Sequence, residues 1–281
     1  MDDGLASLAS WPGVHRAAGW VARDGRRAAA GDVDHVLPLA SVTKVLTALA
    51  VLVAVEEEVL DLEEPAGPPG ATVRLLLCHA SGLPFQGRTP IADPGRRRIY
   101  GNAAYEELGR LLTERTGIAY ADYVAEAVCH PLGMRATVAT GSPAAGGRGT
   151  VGDLLRLGAE LLSPGRILAA ETVAEATRPQ LPDLAGVLPG FGRQRPNPWG
   201  LGFEIKGTKS PHWTPGDASP ATFGHFGQAG SFLWVDPEAG VACASLSDQG
   251  FGGWARTAWP ALGDAVLAAA RSGHSAHTPP G

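Results

Sequence analysis

Four side chains of this 281-residue chain, Ser41, Lys44, Tyr100 and Asn102, have the types and spacing that acyl transfer needs. In Ser41-Val42-Thr43-Lys44 the serine and lysine are three residues apart, slightly less than one helical turn. On a helix both project from one face, and their head groups come within hydrogen-bond reach. A serine hydroxyl attacks a carbonyl only if its proton is taken. A lysine can take it only if its pKa falls, and burial beside an apolar helix surface lowers it by disfavouring the ammonium. The positive end of the helix dipole adds to this and favours an oxyanion built at the serine. With 13 Ser and 3 Lys in the chain, Ser-x-x-Lys is expected by accident only about 0.14 times. The chain uses 20 Arg against those 3 Lys, yet sets one lysine a turn into its most apolar stretch, where a lone ammonium is costly. The plainer reading has Ser41 as a helix N-cap and Lys44 snorkelling to solvent.

Tyr100-Gly101-Asn102 is rarer still: 4 Tyr and 2 Asn predict about 0.03 such triplets. A phenol near a cationic lysine is expected to have its pKa lowered and to relay protons. The asparagine amide can accept from the lysine and donate to a substrate carbonyl. The competing reading is a loop tyrosine with Asn102 capping the next helix, and a capping role is expected in either case. His225-Phe226-Gly227 is weak alone, since 8 His and 38 Gly predict roughly one such triplet. Its weight comes from placement on a short strand beside Gln228-Ala229-Gly230, where small residues let a backbone approach a ligand and offer an amide to an oxyanion. Without a ligand, it reads as a histidine in a glycine-rich strand bend.

The elements that must position these groups follow from periodicity. Gly13 to Asp32 alternates around Asp24-Gly25, a hairpin signal. Ser41 to Glu58 is rich in Ala, Leu and Val and reads as a long buried helix with Ser41 at its N-terminal edge. A short helix over Thr72–His79 halts at Ser81-Gly82-Leu83-Pro84. Helices are expected over Asn102–Thr116, Ala121–His130, Gly146–Leu162 and Leu168–Ala176. The Pro/Gly/Arg-rich stretch from Leu181 to Pro198 is long enough to suggest the rim of a substrate cleft. The period then changes: Gly200–Ile205, Ala221–Phe226, Ser231–Val235 and Val241–Leu246 read as strands, followed by an amphipathic helix over Trp254–Arg271. Strands at both ends with helices between predict an α/β (α+β type) fold, with an antiparallel sheet split by a helical insertion. The expected boundaries are 11–60 and 199–273 for the sheet domain and 61–198 for the mostly helical one, with 274–281 a disordered tail.

Composition narrows the function. At 44% hydrophobic and 18% charged the chain can bury a large core, and a net charge of −5 with scattered acids leaves no footprint for nucleic acid. Cys78, Cys129 and Cys243 are far apart without CxxC spacing and read as small buried hydrophobes. The apolar run Val45–Val55 is too short to cross a bilayer, and Met1-Asp2-Asp3 does not read as an export signal, so no membrane partner and a cytoplasmic location are expected. There is no Gly-x-Ser-x-Gly elbow, His-Glu-x-x-His helix or Gly-x-x-x-x-Gly-Lys loop. No metal or cofactor is expected at the site.

Ser-x-x-Lys, Tyr-x-Asn and His-x-Gly in that order resemble the three motifs of the serine β-lactamase and penicillin-binding protein superfamily, most closely its class C β-lactamase, DD-peptidase and esterase branch. His79-Ala80-Ser81-Gly82-Leu83 and Trp199-Gly200-Leu201-Gly202-Phe203 also resemble family segments, so the likeness spans about residues 14–270. It implies a helix-flanked antiparallel sheet plus a helical domain, with the site in the cleft between them. Ser41 would be the acylated nucleophile, Lys44 its proton acceptor, and Tyr100 the shuttle to leaving group and water. Asn102 would orient Lys44 and substrate, and His225 would support the proton network. Amides of Ser41 and Gln228, next to Gly227, would form the oxyanion hole. Relatives that grip a β-lactam carboxylate carry Lys-Thr-Gly, whereas this chain has His225-Phe226-Gly227, and His225 is expected to be neutral near pH 7. The leading expectation is a serine hydrolase of small-molecule esters or amides. A β-lactamase or DD-carboxypeptidase and a non-catalytic binding scaffold are the alternatives. His79 and Ser81 read as structural.

Overall fold

The computed structural model describes residues 3–272, so the tail expected at 274–281 lies outside the described part. After a 3-10 turn at Ala6–Ser10, the Asp24-Gly25 turn joins β1 (Arg16–Ala22) to β2 (Arg27–Gly31) as a hairpin, with Ala17 opposite Gly31. β3 (Leu37–Pro38) leads through a 3-10 turn at Ala40–Val42 into α1 (Thr43–Glu56). α2 (Val73–Leu77), α3 (Ala103–Thr116) and α4 (Tyr120–Val124) follow, the last running into a π-helical turn at Ala125–Cys129. β4 (Arg148–Gly149) pairs with β3; α5 (Val151–Leu162) and α6 (Ala170–Thr177) precede a small hairpin of β5 (Gly186–Leu188) and β6 (Gly192–Gln194). The chain continues with β7 (Glu204–Ile205), β8 (Phe223–Gly227), β9 (Ser231–Asp236), β10 (Val241–Ser247) and α7 (Gly253–Ser272).

One antiparallel sheet of six strands, in the order β2-β1-β10-β9-β8-β7, joins the two ends of the chain. Both its faces are covered, which is why β8, β9 and β10 are buried at every residue. In β9 the pleat sends Phe232 and Trp234 to the face that packs on Trp259, Leu262 and Val266 of α7. Leu233 and Val235 go to the face packed on α1 and α5. Each such fully buried side chain contributes about 1.5–3 kcal/mol. α5 lies against β1 and β10, so the stretch 61–198 also supplies part of the sheet's cover. α1 is buried without interruption from Thr43 to Ala54, having no polar face to turn to water.

Three sequence expectations change. The helix expected from Ser41 starts at Thr43, because Ala40 holds a left-handed φ of 44° and turns the chain before helical geometry begins. The strand expected over Gly200–Ile205 shrinks to Glu204–Ile205, since the Gly200 N–H bonds to the Phe203 carbonyl and the preceding residues form a turn. The loop expected over 181–198 contains the β5–β6 hairpin. Among the described residues no helix is long and apolar enough to cross a membrane.

Candidate active site

Ser41 sits in the turn between β3 and α1, presented by the left-handed Ala40. A non-glycine residue there costs roughly 1–3 kcal/mol and persists only when its surroundings hold it. They do: the Leu39 N–H donates to the Gly147 carbonyl (2.9 Å), and the Leu39 carbonyl accepts from Ser231 Oγ (2.7 Å) and from the Val42 N–H (3.1 Å). Ser41 does not cap the helix; no side-chain cap closes α1, and the hydroxyl is engaged in the site instead.

Lys44 projects from the first turn of α1 and is fully buried. Its Nζ donates to Asn102 Oδ1 (2.8 Å), the Ala144 carbonyl (2.9 Å) and Ser41 Oγ (3.3 Å), and lies 5.0 and 5.6 Å from the ring centroids of Tyr100 and Tyr105. All three acceptors are uncharged. Burial therefore brings the amine down from 10.5 to about 7, with only the more distant Glu106 opposing. Near neutrality a large fraction is free base, able to accept the serine proton.

Tyr100 donates to Ser41 Oγ at 2.8 Å. The expected lowering of its pKa by a cationic lysine is reversed. The ring is half-buried against His79 and Trp199 and its hydroxyl is desolvated, which disfavours the phenolate, so the pKa rises well above 10; the bond to Ser41 only partly opposes this. With Lys44 itself losing its charge, Tyr100 stays a protonated donor. Asn102 occupies the N-cap position of α3 but does not cap it, because its amide oxygen is spent on Lys44. Gly101 is required between them: a Cβ would meet the Pro84 carbonyl oxygen at 2.6 Å and Phe85 Cα at 2.7 Å.

His225 on β8 reaches the same pocket but makes no hydrogen bond to Ser41, Lys44 or Tyr100. Its ring lies 5.7 Å from that of Tyr100, its Nδ1 is 2.7 Å from the Phe226 carbonyl, and its Nε2 is buried without a partner. Burial, with Lys44 nearby, lowers its pKa to about 3, so a neutral ring with Nδ1–H on the carbonyl fits best. Gly227 lets the end of β8 touch the turn that carries Ser41: a Cβ would come 2.4 Å from Ser231 Oγ and 2.5 Å from the Leu39 carbonyl oxygen. Gln228 follows, and Ser41, Tyr100, His225 and Gln228 line one pocket. His79 packs behind Tyr100 and Trp199, with centroids 4.8 and 4.7 Å away, as a buried ring without hydrogen bonds.

The pocket measures about 220 Å³, and its walls are mainly Phe85, Tyr100, Leu188, Pro189, Trp199 and Phe226. Neither lysine nor arginine lines it. Its one acid, Glu204, is spent inward: it accepts from Lys209 Nζ, from His212 Nε2 (3.0 Å) and from Trp213 Nε1 (2.8 Å). Burial alone would push its carboxyl up, but His212 and Lys209 hold it at about 2. Sequence reading missed Phe85 and the Ala144 carbonyl. A backbone oxygen leaves no trace in residue type, whereas Leu188 and Pro189 fall within the stretch suspected of forming a rim. Among the described residues the one cluster of three metal-capable side chains is His15, Asp32 and His35, outside this pocket.

Known proteins share this fold. A crystal structure described as a β-lactamase from Mycobacterium bovis superposes with a TM-score of 0.93 at 48% identity, over 95% of this chain and 99% of that one. EstCE1, described as a hydrolase with promiscuous acyltransferase activity, shares the fold (TM-score 0.77, 18% identity, 94% of this chain and 96% of that one). Penicillin-binding protein 4* of Bacillus subtilis is 26% identical over 137 residues, 37% of this chain, so that the match spans only 30% of that protein's length. The family described as Beta-lactamase matches residues 12–267, nearly the whole described chain, and the chain belongs to that family.

Proposed function

We propose that the chain is a serine hydrolase that forms an acyl-enzyme on Ser41 and hydrolyses esters of short, uncharged acids. The observation that carries this is the double engagement of Ser41 Oγ, 2.8 Å from a protonated Tyr100 hydroxyl and 3.3 Å from a Lys44 amine brought to about 7. Lys44 takes the proton as Oγ attacks the ester carbonyl carbon, and Tyr100 gives its proton to the departing alkoxide. The proton on Lys44 then returns to Tyr100, and the pair activates the water that releases the acid. Amides of Ser41 and Gln228 serve the oxyanion, beside the start of α1. His225 shapes the pocket through its ring rather than through a proton.

The substrate class follows from size and charge. A pocket of about 220 Å³ lies below the usual range of roughly 300–1,000 Å³, which suits a short acyl group. Its apolar walls, neutral His225 and lack of a lining cation offer a substrate carboxylate no charged partner, so burying one there would be costly. A second reading, β-lactam hydrolysis or DD-carboxypeptidase activity, draws on the description of the 48% identical M. bovis relative. The test compares p-nitrophenyl acetate and butyrate with nitrocefin, and measures intact mass after a fluorophosphonate. Ester turnover with a single adduct that Ser41→Ala removes is expected. Faster nitrocefin turnover would favour the second reading, and no turnover with no adduct would overturn both.

A further inference from the structure

We propose that His15, Asp32 and His35 form a binding site for a divalent transition-metal ion, with zinc as the probe. The three come together through the fold. His15 immediately precedes β1 and Asp32 follows β2, and the antiparallel register that sets Ala17 opposite Gly31 brings both to the same end of the hairpin. The Asp32 carbonyl then accepts from the His35 N–H at 3.1 Å and folds the connector back over them. The imidazoles stack with centroids 3.9 Å apart and planes within 4°.

Both rings direct Nδ1 at the same carboxylate oxygen, Asp32 Oδ2, at 3.8 Å from His15 and 3.5 Å from His35, and all three donor atoms lie within 4.8 Å of one another. Two donors each about 2.1 Å from a tetrahedral ion stand about 3.4 Å apart, so only small side-chain adjustments separate this arrangement from a coordination shell. Two imidazole nitrogens and one carboxylate suit zinc and its neighbours, whereas calcium and magnesium select oxygen ligands. The side chains are 44%, 57% and 36% exposed, leaving room for water to complete the shell. None of them lines the Ser41 pocket. The ion would instead tie the β1–β2 hairpin to the connector that runs through β3 to Ala40 and Ser41, as a clamp on the segment that presents the nucleophile.

Isothermal titration of zinc chloride into the full chain, first stripped with a chelator, tests this. One equivalent is expected to bind, at least tenfold more weakly in Asp32→Asn and in the His15→Ala/His35→Ala double variant. Zinc at about 100 times its Kd should raise the parent's Tm by roughly 5–10 °C, a rise the double variant lacks. Because the three side chains are partly exposed, the variants should keep the parent's metal-free Tm, which is measured alongside. No saturable binding to the parent, or equal affinity in the parent and the double variant, would overturn the site.

Discussion

Two lysines are buried in this molecule, and they have been put to opposite uses. Lys44 meets only uncharged oxygens and aromatic faces, and burial takes its pKa down to about 7. Lys209, 6% exposed, lies against the ionised carboxylate of Glu204, which also receives His212 and Trp213. Burial is nearly equal at the two places; the partner differs. Where an anion is supplied, Glu204 opposes the downward pull of burial on the Lys209 amine, and the pair serves the fold, fastening the segment after β7 to the sheet. Where it is withheld, the amine is left able to exchange a proton at neutral pH, and the fold carries the cost. Lys44 sits on a helix buried without interruption from Thr43 to Ala54, which is what makes withholding an anion effective.

Exchanging the roles of the two amines should break this contrast most visibly in catalysis. Lys44→Met is expected to lower kcat/KM for a p-nitrophenyl ester by roughly 10⁴-fold, as removal of a member of a catalytic unit does, while the chain stays folded by circular dichroism. Lys209→Met should change the rate far less. The opposite ranking would mean that the pair at Glu204, not the amine beside Ser41, carries the proton chemistry. In stability the order reverses. Glu204→Gln leaves the buried Lys209 amine without its anion and should cost about 3–5 kcal/mol in urea unfolding, and Lys209→Met should cost less, because Glu204 keeps His212 and Trp213. A double replacement by apolar residues should recover much of that loss, because the penalty belongs to the orphaned charge.

The contrast also explains how much could be read before the structure. Ser41, Lys44, Tyr100 and Asn102 were legible because rare residue types recur at spacings that chance seldom produces, and the three-motif order placed them on one scaffold. The β1–β2 hairpin was legible from alternation around Asp24-Gly25, and the helical middle from its period. The state of Tyr100 was not, because it depends on whether burial or a neighbouring charge is larger, and that balance exists only once Lys44 is itself desolvated. Asn102 fits the residue preference of a cap, yet its amide goes to Lys44. The Ala144 carbonyl was invisible, since any residue supplies one. Lys209 and Glu204 drew no attention: five residues apart across a turn, they become partners only through the three-dimensional path of the chain.

The smallest effect is the most diagnostic of the withheld anion. The folded chain holds Lys44 at about 7, whereas the unfolded chain holds it near its ordinary 10.5. Between those values the unfolded state binds the extra proton, so stability rises with pH. The cost of the buried amine is therefore present in full below pH 7 and is relieved as pH climbs toward 10.5. From pH 7 to pH 9 the relief should reach about 2 kcal/mol, at a slope approaching 1.36 kcal/mol per unit. Lys44→Met has no amine to relieve, while every other titrating group, the Glu204 cluster included, is common to both chains. The difference in unfolding free energy between parent and Lys44→Met should thus move in the parent's favour by that amount, and kcat/KM of the parent should rise through an apparent pKa near 7 over the same range. A difference that stays flat with pH would mean that Lys44 keeps its proton in the folded chain. It could then act on Ser41 only as a fixed charge, and the base would have to be sought elsewhere in the pocket.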